Sequence, residues 1–291
     1  MAFTLKIQSK ALFGNKAVDF KKLVTNCGLQ FGHNNEFYVL EDGAKDNTVV
    51  LYNPNRIGRG IYFDGRKMKE GKVEISYNIP TTEAEITDFI IICKELVRQL
   101  KKVEMYCVEE ECKYDIEQLE ANKERMIQFS VSKLNEFCAN KEYESHIFTL
   151  AMWPLVLTED LVSKFERCTD LCEFEQILHD KQCMDVYYAK PKILRKQTGE
   201  IGAFYTFTEE CESIFPLKAD GFINLDGLVI NEEYVRYFIF SENRVLDDLY
   251  DYNKFINYML NHGAKYFDKS HIFVPSMTKA QIEEMAKVTA C

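Results

Sequence analysis

The chain places a block of short strand patterns directly before an amphipathic helix pattern, and this order constrains the fold most. Four segments, 36–42, 48–53, 60–64 and 72–79, are rich in aromatic and β-branched residues and are separated by turn-forming pairs. From residue 83 to residue 101, apolar residues recur at every third or fourth position, which is typical of a helix packed on a core. Thr82 and Glu85 have the spacing of a capping box at the start of that helix.

Similar patterns predict further elements along the chain. The first strand is expected at 3–8, and a short helix follows near 19–26. The later predicted strands lie at 103–109, 146–152, 201–209, 222–227, 233–242 and 270–274, and the later helices at 114–138, 158–167, 170–181, 252–261 and 278–288. Blocks of strands followed by helices predict an α+β fold.

A hairpin-like stretch, residues 61–77, returns 162 positions later as residues 223–239. Five positions are identical in the two copies, namely Ile61/Ile223, Asp64/Asp226, Gly65/Gly227, Glu70/Glu232 and Val73/Val235. We therefore predict two pseudo-repeats of a β-meander followed by helix, strand and helix, with a helical insert between them. The expected domains are an N-terminal repeat at 1–113, a mainly helical insert at 114–185 and a C-terminal repeat at 186–291. Chance similarity between two hairpins is the alternative.

Each copy carries an Asp-Gly pair, Asp64-Gly65 in the first and Asp226-Gly227 in the second. Asp-Gly supplies a residue with positive φ for a tight turn between strands. We interpret both pairs as turns rather than as catalytic aspartates, because turn chemistry explains them without further assumptions.

The two copies differ in charge. Residues 56–72 contain six basic residues against two acidic ones, a net charge of +4, whereas residues 218–234 contain one basic residue against four acidic ones, a net charge of −3. The basic segment could receive an acidic protein partner or a small anion, could meet the acidic copy, or could be an ordinary solvated surface. The candidate anion- or partner-binding residues are Arg56, Arg59, Arg66 and Lys67.

The best local candidate for anion binding is the loop at residues 56–60. Gly58 and Gly60 expose backbone N–H groups, and Arg56 and Arg59 add charged donors. The loop lacks the Lys-Ser/Thr ending and the following helix of a nucleotide-binding P-loop, so it predicts no nucleotide site.

No motif in the chain indicates catalysis, a metal site or a cofactor. Cys168, Cys172, His179 and Cys183 are metal-binding residue types, but on one helix Cys168 and Cys183 would lie about 22 Å apart. Structural zinc sites use closer cysteine pairs. The histidines lie at positions 33, 146, 179, 262 and 271 without a catalytic spacing. We therefore assign no catalytic residue, no metal and no cofactor.

Composition excludes several classes of protein. A net charge of −10 disfavours nucleic-acid binding, which requires many basic residues. The longest apolar runs are too short to cross a membrane. The ten cysteines show no C-x-x-C spacing, and the chain begins without a signal peptide pattern, so we expect reduced thiols in a cytoplasmic protein. The oligomeric state is left open.

Three stretches, KALFGNK at 10–16, FYVLEDG at 37–43 and KVEISYNIPTTEAEITDFI at 72–90, resemble a bacterial family catalogued as a domain of unknown function. The resemblance implies a bacterial cytoplasmic protein and carries no catalytic residues. We expect a non-enzymatic binding or interaction protein that contacts an acidic partner or an anion through an edge at 56–72. The alternative is an enzyme acting on a small phosphorylated or carboxylated substrate, with Arg56 or Arg59 as the anion clamp.

Overall fold

In the computed structural model, which describes residues 1–10, 16–218 and 229–291, helices account for 33% and strands for 30%. This mixture confirms the predicted α+β class. The chain divides into two compact units, unit 1 from Met1 to Met184 and unit 2 from Asp185 to Cys291.

Unit 1 is built on an antiparallel sheet. Its strands are β1 (Ala2–Ser9), β2 (Gln30–Asn34), β3 (Leu40–Asp42), β4 (Thr48–Tyr52), β5 (Ile61–Asp64), β6 (Lys72–Asn78), β7 (Val103–Cys107) and β8 (Cys112–Tyr114). Their order across the sheet is β3-β2-β4-β5-β6-β1-β7-β8, so the first strand lies between β6 and β7. Within the basic segment, only residues 61–64 and Lys72 lie on strands, and these strands, β5 and β6, are interior to the sheet. The other residues of the segment lie in the loops on either side of β5. The expected partner contact through this segment stays a prediction.

Helices cover one face of this sheet. They are α1 (Phe20–Cys27), α2 (Glu83–Leu100), α3 (Ile116–Ala121), α4 (Lys123–Ala139), α5 (Glu159–Phe165) and α6 (Cys172–Asp180), and a small hairpin is formed by β9 (Ile147–Thr149) and β10 (Pro154–Val156). Phe89 of α2 packs edge-on against Phe3 of β1 and Tyr77 of β6, with ring centroids 5.7 and 5.0 Å away. Aromatic contacts of this kind favour a well-ordered core.

The single helix predicted for residues 114–138 is two helices, α3 and α4. Asp115 caps α3 by accepting a hydrogen bond from the backbone N–H of Gln118 over 2.7 Å. Asn122 ends it, and its side-chain amide donates to the Gln118 carbonyl over 2.9 Å. Asparagine competes for backbone hydrogen bonds in this way, which favours a helix end over a helix interior.

In its described residues, 185–218 and 229–291, unit 2 has two sheets and two helices. Its elements are β11 (Tyr187–Tyr188), β12 (Lys192–Arg195), β13 (Ile201–Thr208), β14 (Ser213–Pro216), β15 (Glu232–Ile239), β16 (Arg244–Val245), β17 (Tyr250–Asp251), α7 (Tyr252–Asn261), β18 (Lys265–Tyr266), β19 (His271–Val274) and α8 (Lys279–Thr289). One sheet has the order β12-β13-β15-β16, with β17 also paired to β15, and the other has the order β11-β14-β19-β18. Buried aromatic residues, including Phe207, Phe215 and Phe255, form the core of this unit.

The structure describes the strand pairing of only part of the second copy. In the first copy, β5 pairs antiparallel with β6. In the second copy, β15 pairs in parallel with β13, which precedes that copy, and the positions that correspond to β5 lie outside the described residues. The Asp226-Gly227 turn lies outside the described residues. The pseudo-repeat therefore stays a prediction.

Asp64 does end a strand, and the chain turns after it. The backbone N–H of Arg66 donates to Asp64 Oδ1 over 3.0 Å, and a single 3-10 turn, Met68–Glu70, follows before β6 begins. The positive φ expected for Gly65 belongs instead to Gly71, where φ is 71°. The connection between β5 and β6 is longer than a two-residue hairpin turn. Its left-handed residue, Gly71, ends the 3-10 turn just before β6 begins.

Candidate functional site

The loop at residues 56–60 contacts a carboxylate, and that carboxylate belongs to Glu85 of the same chain. The backbone N–H of Gly60 donates a hydrogen bond to Glu85 Oε1, and Thr81 Oγ1 donates one to Glu85 Oε2 over 2.6 Å. A Cβ atom at position 58 would lie 2.5 Å from Glu85 Cδ, so Gly58 leaves the room that the carboxylate occupies. The loop thus holds an internal anion.

Arg59 points into the protein and is only 8% exposed. Its Nη1 donates to the Pro80 carbonyl over 2.7 Å, and its Nε donates to the Thr149 carbonyl over 3.2 Å. The guanidinium lies 4.8 Å from the ring centroid of Phe148. Burial lowers the pKa of Arg59 to about 10, and the charge of Glu85 raises it, so the side chain stays protonated at neutral pH. Arg59 therefore stabilises the fold and does not reach a surface partner.

Arg56 lies on the same loop but is exposed. Burial raises the pKa of Asp88, while a hydrogen bond from Asn53 and the charge of Arg56 lower it. The Asn53 amide donates to Asp88 Oδ2 over 3.2 Å. Because Arg56 faces outward and Arg59 inward, the two arginines do not form a clamp around one external anion.

Helix α6 and the residues after it hold the loop from another side. The Ile57 N–H donates to His179 Nδ1 over 3.1 Å, and the Gln182 side-chain amide donates to the Gly58 carbonyl over 2.8 Å. His179 is therefore a hydrogen-bond acceptor for the backbone. In the described residues, no group of three or more His, Cys, Asp or Glu side chains could hold a metal ion.

The other two predicted residues, Arg66 and Lys67, lie at a cavity of 660 Å³ that we call the sheet groove. Strands β1, β6 and β7 and the turn after β5 form it. The polar and charged residues that line it are Lys6, Gln8, Asp64, Arg66, Lys67, Lys72, Glu74, Glu104 and Tyr106. Successive strand residues point to opposite faces, so the sheet groove is on the face away from Phe89 and α2.

Most charged residues in the sheet groove have partners within unit 1. Arg66 binds Asp64 through two nitrogens, with Nε 3.0 Å from Oδ1 and Nη2 2.5 Å from Oδ2. Hydrogen bonding from Arg66 holds the pKa of Asp64 below its usual value. Glu104 is bound by Lys113 at 2.7 Å and Lys10 at 3.1 Å, and these contacts lower its pKa to about 2.

Two further ion pairs are looser. Lys6 lies 3.9 Å from Glu74, and Lys72 lies 3.3 Å from Glu70. These carboxylates, like Asp64 and Glu104, come from unit 1, so local acidic residues already offset much of the basic segment. The sheet groove therefore presents both positive and negative groups.

Lys67 differs from the other cations of the sheet groove. It is exposed, and no carboxylate in the described part of the chain lies within 4.0 Å of its Nζ, although its charge lowers the pKa of Asp64. The neighbouring Arg66 side chain is 67% exposed despite its pairing. Arg66 and Lys67 together therefore present positive charge to solvent at the rim.

The structure brings together Arg66 and Lys67 and separates both from the buried Arg59. Sequence reasoning missed Lys6, Glu74 and Glu104, which complete the sheet groove from β1, β6 and β7. The alternation of polar and apolar residues in KIQ and VEISYN could have shown that these residues share one face. It could not have shown that β1 lies between β6 and β7.

Unit 2 contains a buried chain of hydrogen bonds that the scattered histidines did not suggest. His271 Nε2 lies 2.8 Å from the Tyr188 hydroxyl, and His271 Nδ1 lies 2.9 Å from Asp268 Oδ1. All three side chains are buried, and burial raises the pKa of Tyr188. Since Tyr188 is on β11 and His271 on β19, the network links two strands of one sheet.

Across the residues that the structure describes, no helix has both the length and the apolar character needed to cross a membrane. The family model of the domain of unknown function DUF4299 matches residues 2–285. No curated protein and no solved structure matches the chain.

Proposed function

The chain belongs to the DUF4299 family, a domain of unknown function, and from its geometry we propose a non-enzymatic binding protein that holds an acidic polypeptide segment in the sheet groove. The observation that supports this most directly is the pair Arg66 and Lys67 at the rim of an open cavity of 660 Å³. The bacterial and cytoplasmic setting implied by the sequence is part of the same proposal.

The width of the sheet groove favours an extended partner over a small anion. Its lining spans β5, β6, β1 and β7, and three strand spacings of about 4.8 Å each give a width of about 14 Å. A phosphate-sized ion would contact one part of such a surface. A polypeptide segment can place several carboxylates along it.

The two rim cations can donate to a partner without breaking the existing ion pair. Asp64 binds Nε and Nη2 of Arg66, so Nη1 of this 67% exposed side chain can donate to a carboxylate of the partner. Lys67 offers a second positive charge that has no carboxylate within 4.0 Å in the described residues. Binding of this kind should weaken as salt is added, because solvent-exposed charges are screened.

The enzyme alternative needed Arg56 or Arg59 as an anion clamp. The donors of Arg59 already serve the Pro80 and Thr149 carbonyls, and Arg56 faces outward near Asp88. No contact of Arg56 or Arg59 with the described residues favours that alternative over binding.

The test is the binding of a fluorescently labelled oligo-aspartate peptide, measured by anisotropy at low and high salt. Replacing both Arg66 and Lys67 with Ala should weaken binding at low salt by about tenfold, since two exposed charges are lost. The matched control is Lys21→Ala with Lys22→Ala, which removes the same charge from the exposed side of α1 and should change the affinity less than about twofold.

Equal weakening by both double variants would contradict the sheet groove as the site, because it would reflect net charge alone. If inorganic phosphate binds at the same residues and the peptide does not, the ligand of the sheet groove is a small anion and not an acidic polypeptide segment. Absence of peptide binding to the unmodified protein at low salt would overturn the proposal.

A further inference from the structure

A second cavity in unit 1, separate from the sheet groove, has an aromatic floor. It has a volume of 490 Å³ and lies between the start of β1, the end of β6, the turn from β7 to β8, and α4. We call it the aromatic pocket. Phe3 and Tyr77 form its floor, Phe129 forms a wall, and Glu109 and Glu110 lie at its rim.

The aromatic floor is fixed in place. The rings of Phe3 and Tyr77 are stacked with centroids 5.5 Å apart, and Phe89 supports both of them from the core. Phe129, on the wall, is 43% exposed, and the Lys133 Nζ lies over its ring, 5.4 Å from the centroid. The volume falls within the range of about 300–1,000 Å³ that is typical of small-molecule sites.

The two rim carboxylates have different partners. Glu110 has a cationic partner, because the Arg125 guanidinium lies 3.0 Å from its Oε1, and the Tyr114 hydroxyl donates to Oε2. Glu109 instead accepts hydrogen bonds from the backbone N–H and the hydroxyl of Thr4, both over 2.7 Å. Within the described residues, Glu109 has no cation at ion-pair distance.

The Glu109 carboxylate therefore lies beside aromatic rings without an ion-pair partner in the described residues, in a pocket that Arg125 and Met1 also line. Hydrogen bonds from the neutral Thr4 orient the Glu109 carboxylate without cancelling its charge. Aromatic faces also attract cations through the ring quadrupole. The Glu109 carboxylate would repel an anionic ligand. A neutral apolar ligand would gain no electrostatic attraction from Glu109.

We propose that the aromatic pocket binds a small organic cation, an ammonium group on an aryl or alkyl body. The ammonium group lies at Glu109, and the apolar body covers Phe3, Tyr77 and Phe129. The exposed side chain of Phe129 becomes covered when the ligand is present. This site shares no residue with the sheet groove, so the two proposals stand or fall separately.

The probe is phenethylammonium, and binding is measured by titration calorimetry. Phenethyl alcohol is the neutral analogue and phenylpropionate the anionic one. We expect phenethylammonium to bind more tightly than the alcohol and phenylpropionate to bind most weakly. Equal affinity for the three compounds, or no binding of phenethylammonium, would overturn the proposal.

Two variants test the roles of the residues. Glu109→Gln should weaken phenethylammonium binding by about two- to fivefold and leave the alcohol unchanged, since an exposed charge is worth little more than that. Glu111→Gln is the matched control, because Glu111 is in the same turn but does not line the pocket. Phe129→Ala should weaken both compounds, whereas Gln128→Ala on the same helix should weaken neither.

If Glu111→Gln weakens phenethylammonium binding as much as Glu109→Gln does, the effect comes from the overall negative charge of the turn. That result would contradict a specific role for Glu109. If Phe129→Ala leaves the affinity unchanged, the ligand does not contact Phe129, which contradicts the proposed position of its apolar body. Thermal unfolding of each variant, which should match that of the unmodified protein, separates lost binding from lost folding.

Discussion

At the scale of single residues, Glu85 serves the fold in three ways. Its carboxylate accepts hydrogen bonds from the Gly60 backbone and the Thr81 hydroxyl, and its backbone N–H binds the Thr82 hydroxyl. A buried charge is costly unless it is hydrogen-bonded and near an opposite charge, and the buried Arg59 supplies that charge. Residues that look like a ligand site in sequence therefore form an internal electrostatic network.

Gly60 allows a direct test of the close packing in this network. Its φ is +86°, and a Cβ there would lie 2.3 Å from Val50 Cγ1. Gly43 has a nearly identical φ of +87° but nothing within 4 Å of the corresponding position. Gly43→Ala should lower the free energy of unfolding by about 1 kcal/mol through backbone strain alone.

Gly60→Ala should cost the same backbone strain and about 1–3 kcal/mol more, because the added methyl group overpacks the interior. Urea unfolding of both variants measures the difference. Equal losses of stability would show that Val50 and its surroundings move aside, and would contradict the close packing described for this loop.

At the scale of secondary-structure elements, the start of α2 combines a local helix cap with burial in the core. The capping box predicted from Thr82 and Glu85 is confirmed, since each side chain bonds the backbone of the other residue. Helix α8 starts with the same device at Thr278 and Gln281. Thr82 is fully buried, whereas Thr278 is exposed.

This difference in burial predicts different costs for the same substitution. Thr278→Ala should lower the free energy of unfolding by about 1 kcal/mol, which is typical of a lost helix cap. Thr82→Ala should cost about 2 kcal/mol or more, because it also leaves the buried N–H of Glu85 without its acceptor. Thermal or urea unfolding gives both values, and a larger loss for Thr278→Ala would contradict the argument.

At the scale of the whole molecule, residues after 113 complete the N-terminal unit. Ser130 exchanges hydrogen bonds with the Thr81 backbone at 2.7 Å. Glu175 accepts from the N–H of Ala84 at 2.8 Å, and Gln182 donates to Gly58. The division into three domains at 113 and 185 stays a prediction, but these contacts indicate where it can be tested.

A fragment of residues 1–184 should unfold cooperatively in urea, because it keeps the sheet, the helices and the contacts that hold α2 and the 56–60 loop. A fragment of residues 1–113 should show a weak or absent transition, since Thr81, Ala84 and Gly58 lose their partners. Circular dichroism measures the urea unfolding of both fragments. A transition in the shorter fragment as steep as that in the longer one would support the predicted boundary at 113 instead.

Much of the fold follows from local pattern. The α+β class, the bounds of α2 within a residue or two, and its capping box all come from apolar periodicity and from side chains three residues apart. The prediction of one helix at 114–138 missed the break at Asn122. The apolar pattern is interrupted between Leu119 and Met126, and the local hydrogen bond from Asn122 to Gln118 decides that the helix ends there.

The sequence by itself determined which residue types lie in the loop at 56–60 and in the basic segment. Only the tertiary structure decided that Arg59 is buried beside Glu85 while Arg66 and Lys67 remain at the surface. The physical reason is that helix and strand periodicity is encoded by near neighbours. The position of β1 between β6 and β7, and hence the set of charges that meet in the sheet groove, depends on pairing between residues far apart in the chain.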